Sequence, residues 1–195
     1  IFMSSGDDLS STVAFIASAV VLVVLGAVIV PVEQWALVQG FGPEDSEDLE
    51  GLSVLVGISF VQVTTATAIL STLGAIAEAA MAIAAGLSEI LEQHPQVGLK
   101  ALMGDGIAVG KQIIGTTFNT LFFGFFGGFL ALFIWFTGVH YSFGEILNDK
   151  IFVSEILMIL FAMVSVILTV PITTWVMTRA VSGQRKRADK AKMGE

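Results

Sequence analysis

The chain has 195 residues, of which 55% are hydrophobic and 13% are charged, and its mean hydropathy is +0.87. Since a soluble domain carries about a quarter charged residues, this composition indicates a membrane protein. Nine basic and 17 acidic residues give a formal net charge of -8, which argues against a nucleic-acid-binding protein. The chain has no cysteine and only two histidines, so disulfides are excluded and we expect neither a metal site nor another cofactor.

Four long apolar runs predict membrane-spanning helices, because a span must satisfy its own backbone hydrogen bonds and needs about 20 apolar residues. They cover residues 12–35, 52–77, 112–137 and 155–178. Pro31 is expected to kink or end the last turn of the first span. The segment 93–111 has the apolar spacing of a short interfacial helix. The predicted fold class is thus all-α: a polytopic helical membrane protein with about four transmembrane helices and a short cytoplasmic amphipathic helix.

The charges outside the predicted spans indicate an orientation. The loop at 42–51 holds five carboxylates and no basic residue, whereas Lys100 and Lys111 precede the third span and the tail at 181–195 is basic. Basic segments stay on the cytoplasmic side, so both ends of this chain are expected there, in a protein of the cytoplasmic (inner) membrane. Residues 1–180 would form one transmembrane domain, followed by a disordered tail. Because the chain begins with Ile1 and not with methionine, we expect further sequence upstream.

Polar residues on the second span form the first candidate site. Thr64, Thr67, Ser71, Gly74 and Glu78 follow one another at spacings of three or four, so they share one helix face. A carboxylate deep in a membrane costs about 2.5 kcal/mol or more and usually marks a functional site. One interpretation is a proton- or ion-handling group on a hydrated seam. The other is a helix that has reached the headgroups, where the hydroxyls pack against a neighbour.

The third span begins with a second polar block, which includes Thr116, Asn119 and Thr120 and follows Lys111. A buried amide in lipid needs a hydrogen-bond partner, and the polar face of the second span can supply one. Asn119 and Glu78 would then belong to one polar cluster. Alternatively, these residues only hold helices together, at about 0.6 kcal/mol per hydrogen bond.

Small residues mark the expected contacts between helices. Gly106 with Gly110, and Gly124 with Gly128, form GxxxG motifs, which let two helix backbones approach closely. The glycines assigned to helix packing are Gly74, Gly115, Gly124 and Gly128.

The fourth span carries Ser165, Thr169 and Thr173 at spacings of four, around Pro171. Their hydroxyls are expected to satisfy backbone carbonyls that the proline leaves free. No serine has a base nearby in the sequence, and no HExxH motif or pair of intramembrane aspartates occurs. We therefore expect no enzyme and no catalytic residue.

Two blocks resemble the most recognisable parts of the YibE/F-like membrane protein family: Leu73–Ile90 (LGAIAEAAMAIAAGLSEI) and Gly104–Leu121 (GDGIAVGKQIIGTTFNTL). The family pattern has an aspartate in place of Glu78, and an Arg-Asp pair where this chain has Lys111 and Gln112. This chain thus keeps a basic residue, Lys111, but has no acidic residue at Gln112. The resemblance implies a membrane fold and location more than an activity. The layout is also similar, more loosely, to SecD/SecF and RND-type transporter bundles, in which an intramembrane carboxylate takes part in proton coupling.

These observations predict a permease-like or transport-associated subunit. If it couples protons, Glu78 is the expected carrier and Lys111 lies near the cytoplasmic mouth. The expected lining of the path is Thr67, Ser71, Thr116 and Asn119. The alternative is a non-catalytic structural or assembly subunit of a membrane complex. The expected partners are the lipid bilayer and other membrane subunits or further copies of this chain, and not nucleic acid.

Overall fold

The computed structural model describes residues 8–35, 57 and 59–193. Their helices, in chain order, are α1 (Asp8–Trp35), α2 (Phe60–Gln93), α3 (Leu99–Gly128), α4 (Leu130–Gly138), α5 (Phe143–Asn148) and α6 (Lys150–Met193). The described ranges contain no strand, which confirms the all-α class. The acidic loop at 42–51 and the first residues of the predicted second span lie outside these ranges.

Three helices are each long and apolar enough to cross a membrane. These spans are Leu9–Glu33 in α1, Thr65–Gln93 in α2 and Lys150–Arg187 in α6. The consecutive helices α3 and α4 pass the same test as a pair, with a bend of 45° between them. The described part of the chain therefore has three candidate spans, or four if the bent pair counts as one, in agreement with the predicted number.

The bend between α3 and α4 is where the structure differs from the predicted unbroken span at 112–137. It lies at Phe129, whose backbone has φ -95° and ψ 8° and which caps α4 without a side-chain hydrogen bond. Gly127 and Gly128 come directly before it, and a Cβ at either position would meet nothing within 4 Å. Glycines weaken a helix because they hold no preferred helical geometry, and they are common at sharp kinks.

The cytoplasmic segments predicted from the sequence are also more helical than expected. The helix α3 begins at Leu99, so the amphipathic stretch forms the first turns of a long helix and not a separate element. The helix α6 continues to Met193, whereas the segment from residue 181 was predicted to be disordered. Arg185 fixes this end of α6 to the α2–α3 connection, because its guanidinium donates hydrogen bonds to the carbonyl oxygens of Pro95 and Val97, each at 2.9 Å.

The described residues divide into two compact units, and each of α1, α2, α3 and α6 contributes to both. Unit 1 contains residues 8–23, 73–117 and 165–193, and unit 2 contains residues 24–35, 57, 59–72 and 118–164. The core of unit 1 is aliphatic: Val13, Ala14, Ala80, Ile83, Ala84, Leu87, Leu102, Val170, Met177 and Val181. The core of unit 2 has a phenylalanine cluster, in which Phe136 and Phe152 are buried and Phe125, Phe129 and Phe133 pack against them. These rings therefore have a packing role.

Two glycines of α3 pack directly against side chains of α6 in unit 1. A Cβ added to Gly106 would lie 2.5 Å from Cγ2 of Thr174, and one added to Gly110 would overlap the side chain of Val170. The GxxxG motif at these two glycines thus makes the close contact that such motifs allow. Within the described ranges, the glycines assigned to packing have no such neighbour, because an added Cβ would meet nothing within 4 Å at any of them: Gly74, Gly115, Gly124 and Gly128. The assignment of these four glycines to helix packing therefore stays a prediction.

Candidate functional site

The polar stripe on α2 lies mostly on the outside of the chain. Thr67 is half-buried and its hydroxyl donates to the carbonyl oxygen of Val63 at 3.0 Å, while Ser71, Gly74 and Glu78 are exposed. Glu78 makes no hydrogen bond or ion pair with any residue that the structure describes. An ionisable residue in a membrane almost always faces the interior of a bundle or a water-filled cavity. The described residues do not enclose Glu78, so in a bilayer that face of α2 would meet lipid, another molecule or a part of the chain outside the described ranges.

The predicted residues on α3 are likewise exposed. Lys111, Thr116 and Asn119 all present their side chains to the outside of the chain, and the Thr116 hydroxyl donates to the carbonyl oxygen of Gln112 at 3.2 Å. Asn119 makes no hydrogen bond with another described residue. Glu78 belongs to unit 1 and Asn119 to unit 2. The cluster of Glu78 with Asn119 therefore stays a prediction.

A second carboxylate, to which no function is assigned from the sequence pattern, is buried in unit 2. Glu33 lies in the last turn of α1 and is only 4% exposed. Its Oε2 accepts a hydrogen bond from the Thr65 hydroxyl of α2 at 2.5 Å. The sequence signal that could have found it is simple, since Glu33 is the one ionisable residue between Leu9 and Trp35 and follows Pro31 by two positions.

Buried hydroxyls follow one face of α6 in unit 1, but their bonding differs from the expectation. The Thr169 hydroxyl donates to the carbonyl oxygen of Ser165 at 2.7 Å, and the Thr174 hydroxyl donates to that of Val170 at 2.8 Å. Neither hydroxyl donates to the carbonyl oxygen of the residue four positions before Pro171. That carbonyl lacks its usual backbone donor, because proline has no N–H. Among the described residues, the buried hydroxyl of Thr173 has no hydrogen-bond partner at all.

The connection from α4 to α6 forms an open depression of about 460 Å³, lined by Tyr141, Glu145, Asn148, Asp149, Lys150 and Ile151. Two hydrogen bonds hold the start of α5 in this connection. The Ser142 amide donates to Glu145 Oε2 at 2.7 Å, and the Glu145 amide donates to the Ser142 hydroxyl, which together make a capping box. Hydrogen bonds from the backbone and the side chain of Ser142 to the carboxylate lower the pKa of Glu145 below its ordinary value. Within the described ranges, no three histidine or acidic side chains lie together in a way that could hold a metal ion.

Comparison with known proteins assigns the chain to a family. The family model described as YibE/F-like protein matches residues 1–183. That range includes both sequence blocks that carry the resemblance, and also Glu33, Glu78 and the polar block of α3. No curated protein matches the chain, and no solved structure does. Because the family model spans nearly the whole of it, the chain belongs to the YibE/F-like protein family.

Proposed function

We propose that this protein is a permease-like or transport-associated subunit of the cytoplasmic membrane, with no catalytic activity of its own, and that Glu78 couples it to protons. The observation that supports the proposal is the exposed polar stripe on α2. A carboxylate that faced lipid would cost about 2.5 to 3.5 kcal/mol near the middle of a helix. A membrane-embedded neighbour that covers this face would turn the stripe into a hydrated seam.

The residues of this proposed hydrated seam have different roles. In this proposal Glu78 binds and releases the proton, while Thr67, Ser71, Thr116 and Asn119 supply hydroxyl and amide groups that can hold water. Lys111, which is exposed on α3, lies at the cytoplasmic mouth. The charge distribution supports that orientation, since every basic residue between residues 59 and 193 except Lys150 belongs to unit 1. Basic residues remain on the cytoplasmic side of a membrane.

The first test is proton flux in liposomes that contain the complete protein together with whatever copurifies with it. We expect Glu78→Gln to abolish the pH-dependent component of flux, because glutamine keeps the size of the side chain and cannot carry a proton. The matched control is Glu92→Gln, which changes another exposed carboxylate of α2 and should leave flux unchanged. Flux with normal pH dependence in Glu78→Gln would contradict the proposed coupling.

A structural or assembly subunit is the second candidate, and Gly124 and Gly128 make it testable because, among the described residues, a Cβ added at either would meet nothing within 4 Å. We therefore expect a leucine at either position to report on contacts with other molecules. If Gly124→Leu dissociates a complex while Glu78→Gln is neutral, the polar residues only align helices and the structural candidate is correct.

The molecule that covers the exposed face of α2 distinguishes a subunit of a larger transporter from a self-contained permease. A tagged pull-down of the complete protein from native membrane into nanodiscs, followed by mass measurement, would show what covers α2. A different chain in fixed stoichiometry supports a subunit of a larger transporter, and a homo-oligomer supports a self-contained permease. A monomer surrounded by lipid alone would contradict the covered seam.

A further inference from the structure

The C-terminal part of α6, which belongs to unit 1, is where the charge of this helix changes abruptly. Residues 156–178 contain no charged side chain, and a membrane span needs about 20 apolar residues. Six basic residues follow before Met193, with Asp189 as the one acidic residue among them: Arg179, Arg185, Lys186, Arg187, Lys190 and Lys192. In a bilayer, α6 would therefore pass from the apolar interior into the headgroup region near Arg179.

The core of unit 1 fixes how this part of α6 is rotated. Met177 and Val181 are buried in that core. Arg185 follows at the same spacing of four, and its guanidinium donates hydrogen bonds to the carbonyl oxygens of Pro95 and Val97, each at 2.9 Å. Residues four apart lie on one side of a helix, so the side that carries Met177, Val181 and Arg185 faces the rest of unit 1.

The opposite side of α6 carries an aromatic ring and three cationic side chains. Trp175, Arg179, Lys186 and Lys190 succeed one another at spacings of four, seven and four, and all are exposed. The Arg179 guanidinium lies 4.7 Å from the centroid of the Trp175 ring, which is the distance of a cation–π contact. Lys186 and Lys190 make no hydrogen bond or ion pair with another described residue. These four residues form the basic face of α6.

The residues before Trp175 on the same side of α6 are apolar. Leu168 and Ile172 are half-buried, and Pro171 is exposed. The basic face thus continues an apolar surface, and an exposed tryptophan lies between the two. Tryptophan rings concentrate at the interface between acyl chains and headgroups, and the long stems of arginine and lysine let their charges reach the phosphates. An acidic water-soluble protein would meet the lysines and not the apolar side chains before Trp175.

We propose that the basic face of α6 binds the headgroup of an anionic phospholipid. The Arg179 guanidinium, held over the Trp175 ring, donates to the phosphate, and Lys186 and Lys190 add positive charge farther from the apolar interior. Charge complementarity supports this occupant, because the leaflet that basic segments face is rich in anionic lipid. The site lies on α6, and it involves neither Glu78 nor proton coupling.

Native mass spectrometry tests the site on the full chain, released from nanodiscs that contain equal amounts of phosphatidylglycerol and phosphatidylcholine. We expect the unchanged protein to retain phosphatidylglycerol in excess. Lys186→Gln together with Lys190→Gln should lower the ratio of the two retained lipids by about fivefold for each charge removed. The matched control is Lys100→Gln together with Arg187→Gln, which removes the same charge from exposed residues outside the basic face. Equal retention of both lipids, or an equal loss in the two double variants, would overturn the proposal.

Photo-crosslinking in native membrane identifies the occupant. Gly183 is exposed between Arg179 and Lys186, and an added Cβ there would meet nothing within 4 Å. A photoreactive side chain at Gly183 should form adducts with the mass of a phospholipid. Adducts with another protein only would overturn the proposal, since the basic face would then be a protein interface. Neither measurement depends on proton flux, so this proposal and the proton coupling can fail independently.

Discussion

Gly110 shows how a single missing methyl group can determine helix packing. An alanine Cβ at this position would overlap Val170 of α6. Gly110 is buried in unit 1, and Val170 belongs to the aliphatic core of that unit. Overpacking of this kind costs about 1 to 3 kcal/mol, because neighbouring side chains or backbones must move. We therefore expect Gly110→Ala to lower the thermal unfolding temperature of the protein in nanodiscs.

The control for this prediction is Gly115→Ala, five residues further along α3. An added Cβ there meets nothing within 4 Å, and alanine favours a helix by about 0.5 to 1 kcal/mol over glycine. The unfolding temperature of Gly115→Ala should be unchanged or slightly raised. Equal unfolding temperatures for the two variants would mean that the α3–α6 contact contributes nothing to stability.

Glu78 and Glu33 differ in whether the sequence pattern alone can identify them. Glu78 could be recognised from the sequence because Thr67, Ser71 and Gly74 precede it on one helix face. Glu33 carries no comparable pattern, and its importance depends on burial by parts of the chain that are distant in sequence. Its hydrogen bond to Thr65 spans 32 residues, a pairing that helical periodicity cannot predict.

Among the elements, α5 is a six-residue helix whose start depends on one capping box. Hydrogen bonds from Ser142 to the Glu145 carboxylate lower the pKa of Glu145, so the charged form stabilises the folded helix. This contribution is complete above the ordinary Glu value of 4.5 and is lost as the pH falls through the lowered value of the folded state.

We therefore expect acidification below about pH 4.5, the ordinary Glu value, to loosen the first turn of α5. The amide chemical shifts of Ser142 and Glu145 should change in that range. In Glu145→Gln the amide side chain can still complete a capping box but does not titrate, so the shifts should be independent of pH. A titration that persists in Glu145→Gln would assign the change to another group, such as Asp149.

The helices also show that hydrophobic periodicity alone does not predict where a helix bends or ends. The apolar run at 112–137 contains no charge and no proline, so nothing in its pattern interrupts a span. The interruption arises at Phe129, after two consecutive glycines. In the opposite sense, the segment before the third span is predicted to be a separate short helix and the tail to be disordered, yet α3 starts at Leu99 and α6 continues to Met193. Polarity marks where a helix leaves apolar surroundings, and it does not by itself end a helix.

At the scale of the whole molecule, the expected orientation can be tested because the chain contains no cysteine. Single cysteines can be placed at Gln96, in the α2–α3 connection, and at Gly144 on α5, both of which are exposed. We expect a membrane-impermeant maleimide added to the outside of intact cells to label Gly144→Cys only. Gln96→Cys should be labelled once the membrane is opened, and the reverse pattern would contradict a cytoplasmic location for both ends of the chain.

The sequence by itself determined the fold class, the number of spans to within one, the family resemblance and the face that carries Glu78. These features follow from composition and from spacing along one helix, both of which are local. The tertiary structure decided which glycines pack, since Gly106 and Gly110 face α6 whereas Gly124 and Gly128 face outward. It also decided which carboxylate is enclosed by the chain. Packing and burial depend on how each helix is rotated against its neighbours, and many rotations are compatible with the same apolar pattern.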